Sequence, residues 1–188
     1  MSQHSIRIIG GCWRRRAITV PPNTSVRPTM GSLKETIFSW LQYDIRNARC
    51  LDLFAGSGSL GLEALSRGAG LSVFIDQDPR MIQSIGEHLL KFNADPASYE
   101  IHCGVVPDCL KHLSHDPFDI VFLDPPYSMQ HTQTLLNALV ELHYIAAGSC
   151  VIVEEASTTF ENFPKSFKII NKRRLSQAQC HVLRYDPL

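Results

Sequence analysis

Asp124-Pro125-Pro126-Tyr127 directly follows the apolar run Phe118-Asp119-Ile120-Val121-Phe122-Leu123, so an acceptor-rich turn and an aromatic ring stand at the end of a buried strand. Proline cannot continue a ladder and restricts the residue before it, so Pro125 and Pro126 stop the strand and leave Asp124 and Tyr127 projecting at its carboxyl edge. Ligands of open α/β sheets bind at that edge. The turn suits a flat ring that carries an amino group. Exocyclic amines of bases are poor nucleophiles because their lone pair is delocalised into the ring. Hydrogen bonds from the amine to the Asp124 carboxylate and to a nearby backbone carbonyl favour a pyramidal nitrogen and take up its developing positive charge, while Tyr127 stacks on the base. Taken alone, however, such a Pro-Pro turn is more often just a strand stop.

The upstream residues supply the missing half. Leu51 to Gly61 contains Gly56-x-Gly58-x-x-Gly61 between a strand pattern and a helix pattern, which lets the loop run close to a ligand while the helix offers free N–H groups. Asp76 closes the next strand, where a carboxylate can accept both hydroxyls of a ribose. After the third strand, Asp108 in Pro107-Asp108-Cys109-Leu110 could accept from an adenine amino group while the Cys109 N–H donates to the ring; the other reading of Asp108 is a helix cap. Asp78, just before Pro79, suits a helix cap. A nicotinamide enzyme would need a second site for the hydride, and no His, Lys or Tyr stands at a telling spacing.

These residues need a scaffold that brings strand ends together. From Arg49 onward short β-rich runs alternate with helical patterns: Cys50–Phe54, Ser59–Arg67, Leu71–Ile75, Arg80–Phe92, Tyr99–Cys103, Pro107–Leu113, Phe118–Leu123, Thr132–His143 and Cys150–Val153, with Gly148 as a helix stop before the last. That alternation predicts a parallel, doubly wound α/β sheet. Phe167–Ile170 and Cys180–Tyr185 read as a terminal hairpin. Residues 1–48 differ: two short β-like runs, a Pro21-Pro22 turn and an amphipathic helix near Ser32–Leu41 make a small N-terminal extension, leaving 49–188 as the main domain.

The formal net charge is zero, yet the first 49 residues carry +6 and the remainder −6. Such segregation points to an N-terminal surface facing a polyanion, with Arg7, Arg14, Arg15, Arg16, Arg27 and Lys34 as the candidate nucleic-acid contacts. No apolar run approaches the roughly 20 residues of a membrane span, and Met1-Ser2-Gln3-His4 lacks a secretory layout, so a cytoplasmic protein is expected. Six cysteines lie far apart with no CxxC pair, which indicates no metal cluster and no disulfide framework, only buried thiols.

With these motifs the chain resembles a class I S-adenosylmethionine-dependent methyltransferase, and specifically the RsmD family of bacterial 16S rRNA (guanine-N2)-methyltransferases. The resemblance rests on Arg7-Ile8-Ile9-Gly10-Gly11 with Trp13-Arg14, on Arg27-Pro28-Thr29 and Lys34 through Leu41, on Asp52 through Ala69, and on Asp124 through Tyr127. It implies a Rossmann-like, seven-stranded, mostly parallel sheet with a reversed C-terminal hairpin, and S-adenosyl-L-methionine as cofactor. Carried over by position, Asp52, Phe54, Gly56 and Gly58 shape the methionine pocket, Asp76 binds the ribose, Asp108 and Cys109 the adenine, and Asp124, Pro125, Pro126 and Tyr127 the guanine. The implied partner is 16S rRNA in the small ribosomal subunit or a late assembly intermediate, met by a monomer without metal. Gly31-Ser32 stand where the family has an Asp-Arg pair, Cys12 stands where a lysine is common, and a family glycine is lost around Gln177 to Gln179, which touches substrate contacts and leaves the cofactor residues intact. A DNA adenine-N6 methyltransferase shares both motifs, but 188 residues leave little room for a domain that reads DNA sequence.

Overall fold

The structure, a computed structural model, describes residues 5–22, 31–113, 115–125, 132–156, 162–175 and 178–187. Tyr127, Pro126 and Arg27 lie outside them. Strands β1 (Ser5–Arg7) and β2 (Ala17–Thr19) pair antiparallel, and helix α1 (Gly31–Trp40) follows. The main sheet is built from β3 (Arg49–Leu53), β4 (Leu71–Asp76), β5 (Tyr99–Cys103), β6 (Phe118–Leu123), β7 (Ile145–Ala156), β8 (Phe167–Arg174) and β9 (Ala178–Tyr185), in the spatial order β5-β4-β3-β6-β7-β9-β8. Neighbours from β5 through β7 are parallel; β9 inserts antiparallel beside β7 and β8 pairs back onto β9, giving the reversed hairpin. Helices α2 (Ser59–Ser66), α3 (Pro79–Lys91) and α4 (Thr132–Glu141) connect the parallel strands. No helix among the described residues is long and apolar enough to cross a membrane.

Two-residue alternation sorts the strands onto two cores. Cys50, Phe74, Ile120, Phe122, Cys150, Ile152, Cys180 and Val182 face one side, where they meet α2, α3 and the first 48 residues through Ile8, Trp13, Ile18, Leu33, Ile37, Phe38 and Leu41. Leu51, Leu53, Val73, Ile75, Val121, Leu123, Val151 and Val153 face the other, under α4 and the segment around Leu110. The N-terminal segment thus packs as part of the layer that covers the sheet.

Two expected boundaries are corrected. Gly148 does not stop a helix: α4 ends at Glu141, and His143 takes the left-handed turn position (φ 58°) while the Tyr144 N–H reaches the Leu139 carbonyl at 2.9 Å. Gly148 (φ 92°) lies inside β7, where the pairing with β6 slips from Phe118–Ile145 to Ile120–Cys150. Pro107 to Leu113 forms only the short 3-10 turn Asp108–His112. Of the cysteines, Cys50, Cys150 and Cys180 are buried, Cys109 is half-buried, and Cys12 and Cys103 are exposed rather than buried.

Candidate active site

The registers level the carboxyl ends of the central strands. Leu53 pairs with Ile75 on one side and Leu123 on the other, so the residues that follow, Phe54, Asp76 and Asp124, share one rim. Asp124 is half-buried and Pro125 buried beside it. Leu123 also pairs with Val153, which brings Asp124 next to Glu154 at the end of β7.

The glycine loop between β3 and α2 is held from below by backbone and carboxylate contacts. Phe54, Gly56 and Gly58 have positive φ (61°, 52° and 71°). The Ala55 N–H donates to the Ile75 carbonyl at 2.9 Å and the Gly56 N–H to Asp76 Oδ2 at 2.7 Å. A Cβ on Gly58 would sit 2.8 Å from Ile85 Cγ1, and one on Gly61 would sit 2.3 Å from Phe74 Cε1, so Gly58 serves the turn while Gly61 serves the close packing of α2 on the sheet. The N-cap of α2, Gly58, offers no side-chain cap. Of the first-turn donors the Gly61 N–H is taken by Asp52, which leaves the Ser59 and Leu60 N–H groups as the candidates for a bound anionic group.

Asp76 has two backbone duties, Oδ2 holding Gly56 and Oδ1 accepting from the Asp78 N–H at 2.8 Å. Each oxygen keeps a further acceptor direction, so the loop bonds and a ribose contact are compatible. Asp52 is buried under α2, and its Oδ2 accepts from the Gly61 N–H at 2.8 Å. Burial pushes its carboxyl up to about 8, against the pull of that N–H and helped by the nearby Asp76 charge. A buried carboxyl of this kind is matched to a cationic ligand. Asp78 caps α3 as expected, accepting from the Arg80 N–H.

Asp108 is exposed and pairs with Lys111 at 3.1 Å; it lies inside its short turn, whose cap is Pro107. The Cys109 N–H donates to the Val105 carbonyl at 2.9 Å, so it is committed to the loop and Asp108 is the stronger adenine candidate of the two. Burial holds the Cys109 thiol above its ordinary range.

Among the basic candidates, Arg7, Arg14, Arg15 and Arg16 are exposed; the Arg16 guanidinium lies 5.3 Å over the Phe92 ring. Lys34 does not belong with them. It is only 1% exposed, its Nζ donates to the Arg7 carbonyl at 2.8 Å and stands 3.4 Å from Glu63 Oε2. Burial lowers its pKa, and Glu63 opposes that shift. Glu63 in turn accepts from the Ile9 and Gly10 N–H groups, each at 2.8 Å, and from Arg67 Nε at 2.8 Å. The Arg7-to-Gly11 block is therefore a strap fastened to α2, and Lys34 is part of its clasp.

Sequence reasoning missed Glu63, and it missed the acidic pair Glu154-Glu155, both buried at the end of β7. Glu155 Oε1 accepts from Thr132 Oγ1 at 2.7 Å, which ties the start of α4 to this rim. The signal was two acids directly after the apolar Val151-Ile152-Val153.

A family model described as "Conserved hypothetical protein 95" matches residues 6–184. Ribosomal RNA small subunit methyltransferase D of Escherichia coli strain K12 is 38% identical over 184 residues, 96% of this chain and 90% of the relative. The protein of the same name from Buchnera aphidicola subsp. Acyrthosiphon pisum is 32% identical over 177 residues, 94% of this chain and 92% of the relative. The solved structure of yhhF from Escherichia coli superposes with a TM-score of 0.87 at 30% identity, covering 98% of this chain and all 100% of that one. With the glycine loop and the Asp124 turn on one rim of a seven-stranded sheet, this chain belongs to the Conserved hypothetical protein 95 family, alongside the ribosomal RNA small subunit methyltransferase D proteins.

Proposed function

We propose that the protein methylates the exocyclic N2 of a guanine in 16S rRNA, with S-adenosylmethionine as donor and the small subunit or a late assembly intermediate as substrate, acting as a monomer in the cytoplasm. Family membership makes the chain a methyltransferase. The observation that carries the reading is the level placement of the Phe54-to-Gly58 loop and Asp124 on adjoining strands. When bound, the cofactor supplies an electrophilic methyl group on a sulfonium.

The chain's own residues fit that cofactor. The Ser59 and Leu60 N–H groups at the start of α2 suit its carboxylate, the buried Asp52 its positive charge, Asp76 its ribose hydroxyls and Asp108 its adenine. Asp124 accepts from the guanine amine, holds the nitrogen pyramidal and takes up the charge that grows as the N–C bond forms and the S–C bond breaks; the amine proton then leaves toward this carboxylate and solvent. Positioning of nitrogen and methyl in line can contribute about 7–11 kcal/mol of barrier reduction. Tyr127, outside the described residues, is assigned the stacking role by its place in the Asp-Pro-Pro-Tyr turn. Incubating unmodified small subunits with the pure protein and tritium-methyl cofactor tests the reading: label in 16S rRNA is expected, and label accepted by duplex DNA instead would turn the assignment to an adenine-N6 enzyme.

Asp52 gives the site a pH signature. Below about 8 its neutral form dominates in the cofactor-free chain, whereas a bound cation favours the carboxylate, so binding releases a proton. Cofactor affinity therefore rises with pH until about 8 and then levels. The stability sign is the reverse: the folded pKa lies above the unfolded value, the folded chain holds the proton longer, and this carboxyl costs stability increasingly as pH rises from about 4 to about 8. Asp52→Asn should raise the Tm of the cofactor-free chain at pH 8 and remove the rise of affinity with pH that wild type shows below it. Calorimetry across this range checks both.

The exposed Arg14 and Arg15 are the strongest candidates for rRNA phosphates. Removing one phosphate-binding arginine flattens the slope of log affinity against log salt by about 0.7–0.9, so Arg14→Ala with Arg15→Ala should weaken subunit binding and lower the slope by at most about twice that. Cofactor affinity should stay constant. A binding series over salt decides it, and an unchanged slope would move the RNA to another face.

A further inference from the structure

On the edge strand β5, three places across the sheet from the β6 end that carries Asp124, three side chains from two segments converge. Glu100 and His102 are two residues apart on the edge strand β5 and so share one of its faces. His115 returns to them from the far end of the connection that leads to β6. Glu100 Oε2 stands 3.2 Å from His102 Nε2 and 3.5 Å from His115 Nε2, and the three ligand atoms all lie within 4.8 Å of one another. Neighbours aim the rings: His102 and His115 meet edge to face at 6.3 Å, and His115 rests against the buried Phe118 ring at 5.4 Å. The His115 side chain is 9% exposed and that of His102 32%, so one flank is packed and the other open.

The two spacings to Glu100 are close to the edges of a metal's coordination tetrahedron, and the third edge is bounded at 4.8 Å. With metal–nitrogen and metal–oxygen bonds of about 2.0–2.2 Å, two tetrahedral ligands stand roughly 3.3–3.5 Å apart. The two imidazoles are borderline donors that suit late first-row divalent ions and not Mg²⁺, which prefers an all-oxygen shell, and the carboxylate is a ligand that Zn²⁺ accepts beside them. The absence of a CxxC pair hides such a site from a cysteine count. We propose that Glu100, His102 and His115 bind one Zn²⁺ ion, with a fourth position left to water on the open flank. The ion would clip the returning end of the 104–117 connection to the edge strand, in the same connection that presents Asp108, without touching the cofactor residues.

Metal-stripped full chain titrated with Zn²⁺ alone, in the absence of cofactor and RNA, tests this without reference to methylation. One ion per chain is expected, and the Tm should climb with Zn²⁺ concentration. His102→Ala and His115→Ala should each weaken binding by about 10–100-fold or more, since even the groups that hydrogen-bond to metal ligands contribute on that scale. Glu100→Gln, an isosteric change at an exposed position, should do the same while circular dichroism and metal-free Tm stay at wild-type values. Because Cys103 and Cys109 lie nearby in sequence, the Co²⁺ form should show ligand-field bands with no thiolate-to-metal charge transfer. Absence of stoichiometric binding, equal affinity in the Glu100→Gln protein, or a thiolate band would overturn the proposal.

Discussion

Replacing Asp124 by alanine is expected to abolish methyl transfer while S-adenosylmethionine still binds. The residue stands half-buried one step past Leu123, level with Phe54 and apart from the carboxylates that hold the glycine loop, which are Asp52 and Asp76. Its proposed task is to accept from the amine and to meet charge that exists only as the new bond forms. Removing one preorganised group of this kind costs on the order of 10²–10³ in rate, and here the same group also places the nucleophile. Asp124→Asn keeps an acceptor oxygen and loses the charge, so it should fall between wild type and alanine. Single-turnover methylation measured beside a calorimetric Kd separates the two roles; equal losses in both would mean that Asp124 serves the cofactor.

Replacing Glu63 by alanine should destabilise the fold by about 3–5 kcal/mol, the usual consequence of leaving a buried charge without its partner. Lys34 and Glu63 are both almost fully buried, and the carboxylate also satisfies the Ile9 and Gly10 N–H groups and Arg67. Loss of the hub leaves the Lys34 ammonium and two backbone donors without it, at one stroke. Glu63→Gln preserves the shape but not the charge and should still be costly. Denaturant unfolding of both variants measures it, and a change within about 0.5 kcal/mol, typical of surface sites, would show that the strap is held by apolar packing alone.

The contrast between these two acids shows where the sequence is legible. Asp124 announces itself because two prolines fix a strand end and the glycine loop identifies which edge of the sheet matters. The strands β3, β4, β6 and β7 were readable for a related reason: a sheet covered on both faces needs apolar residues at nearly every position. Lys34 misled because charge was counted without its helical position. Spaced three, four and seven residues before Ile37, Phe38 and Leu41, it sits on the apolar stripe of α1, where a charge demands a buried partner. That partner was equally hidden, since every residue of α2 from Ser59 to Ser66 is buried and Glu63 lies in the middle. Gly148 misled in another way: glycine marks a left-handed turn or a bulge with the same ease, and only the register with β6 tells them apart. The three-residue cluster at β5 was beyond reach, because His115 is brought to Glu100 by the course of the connection and not by spacing.

Mass mapping of methylated nucleotides in small subunits from cells with and without this protein tests the proposed activity most directly. One guanine of 16S rRNA is expected to carry a methyl on N2 in the presence of the protein, to lose it in its absence, and to regain it when the wild-type chain but not the Asp124→Ala chain is restored. Identical maps from the two cell types, or a difference confined to another nucleotide or another atom of the base, would contradict it.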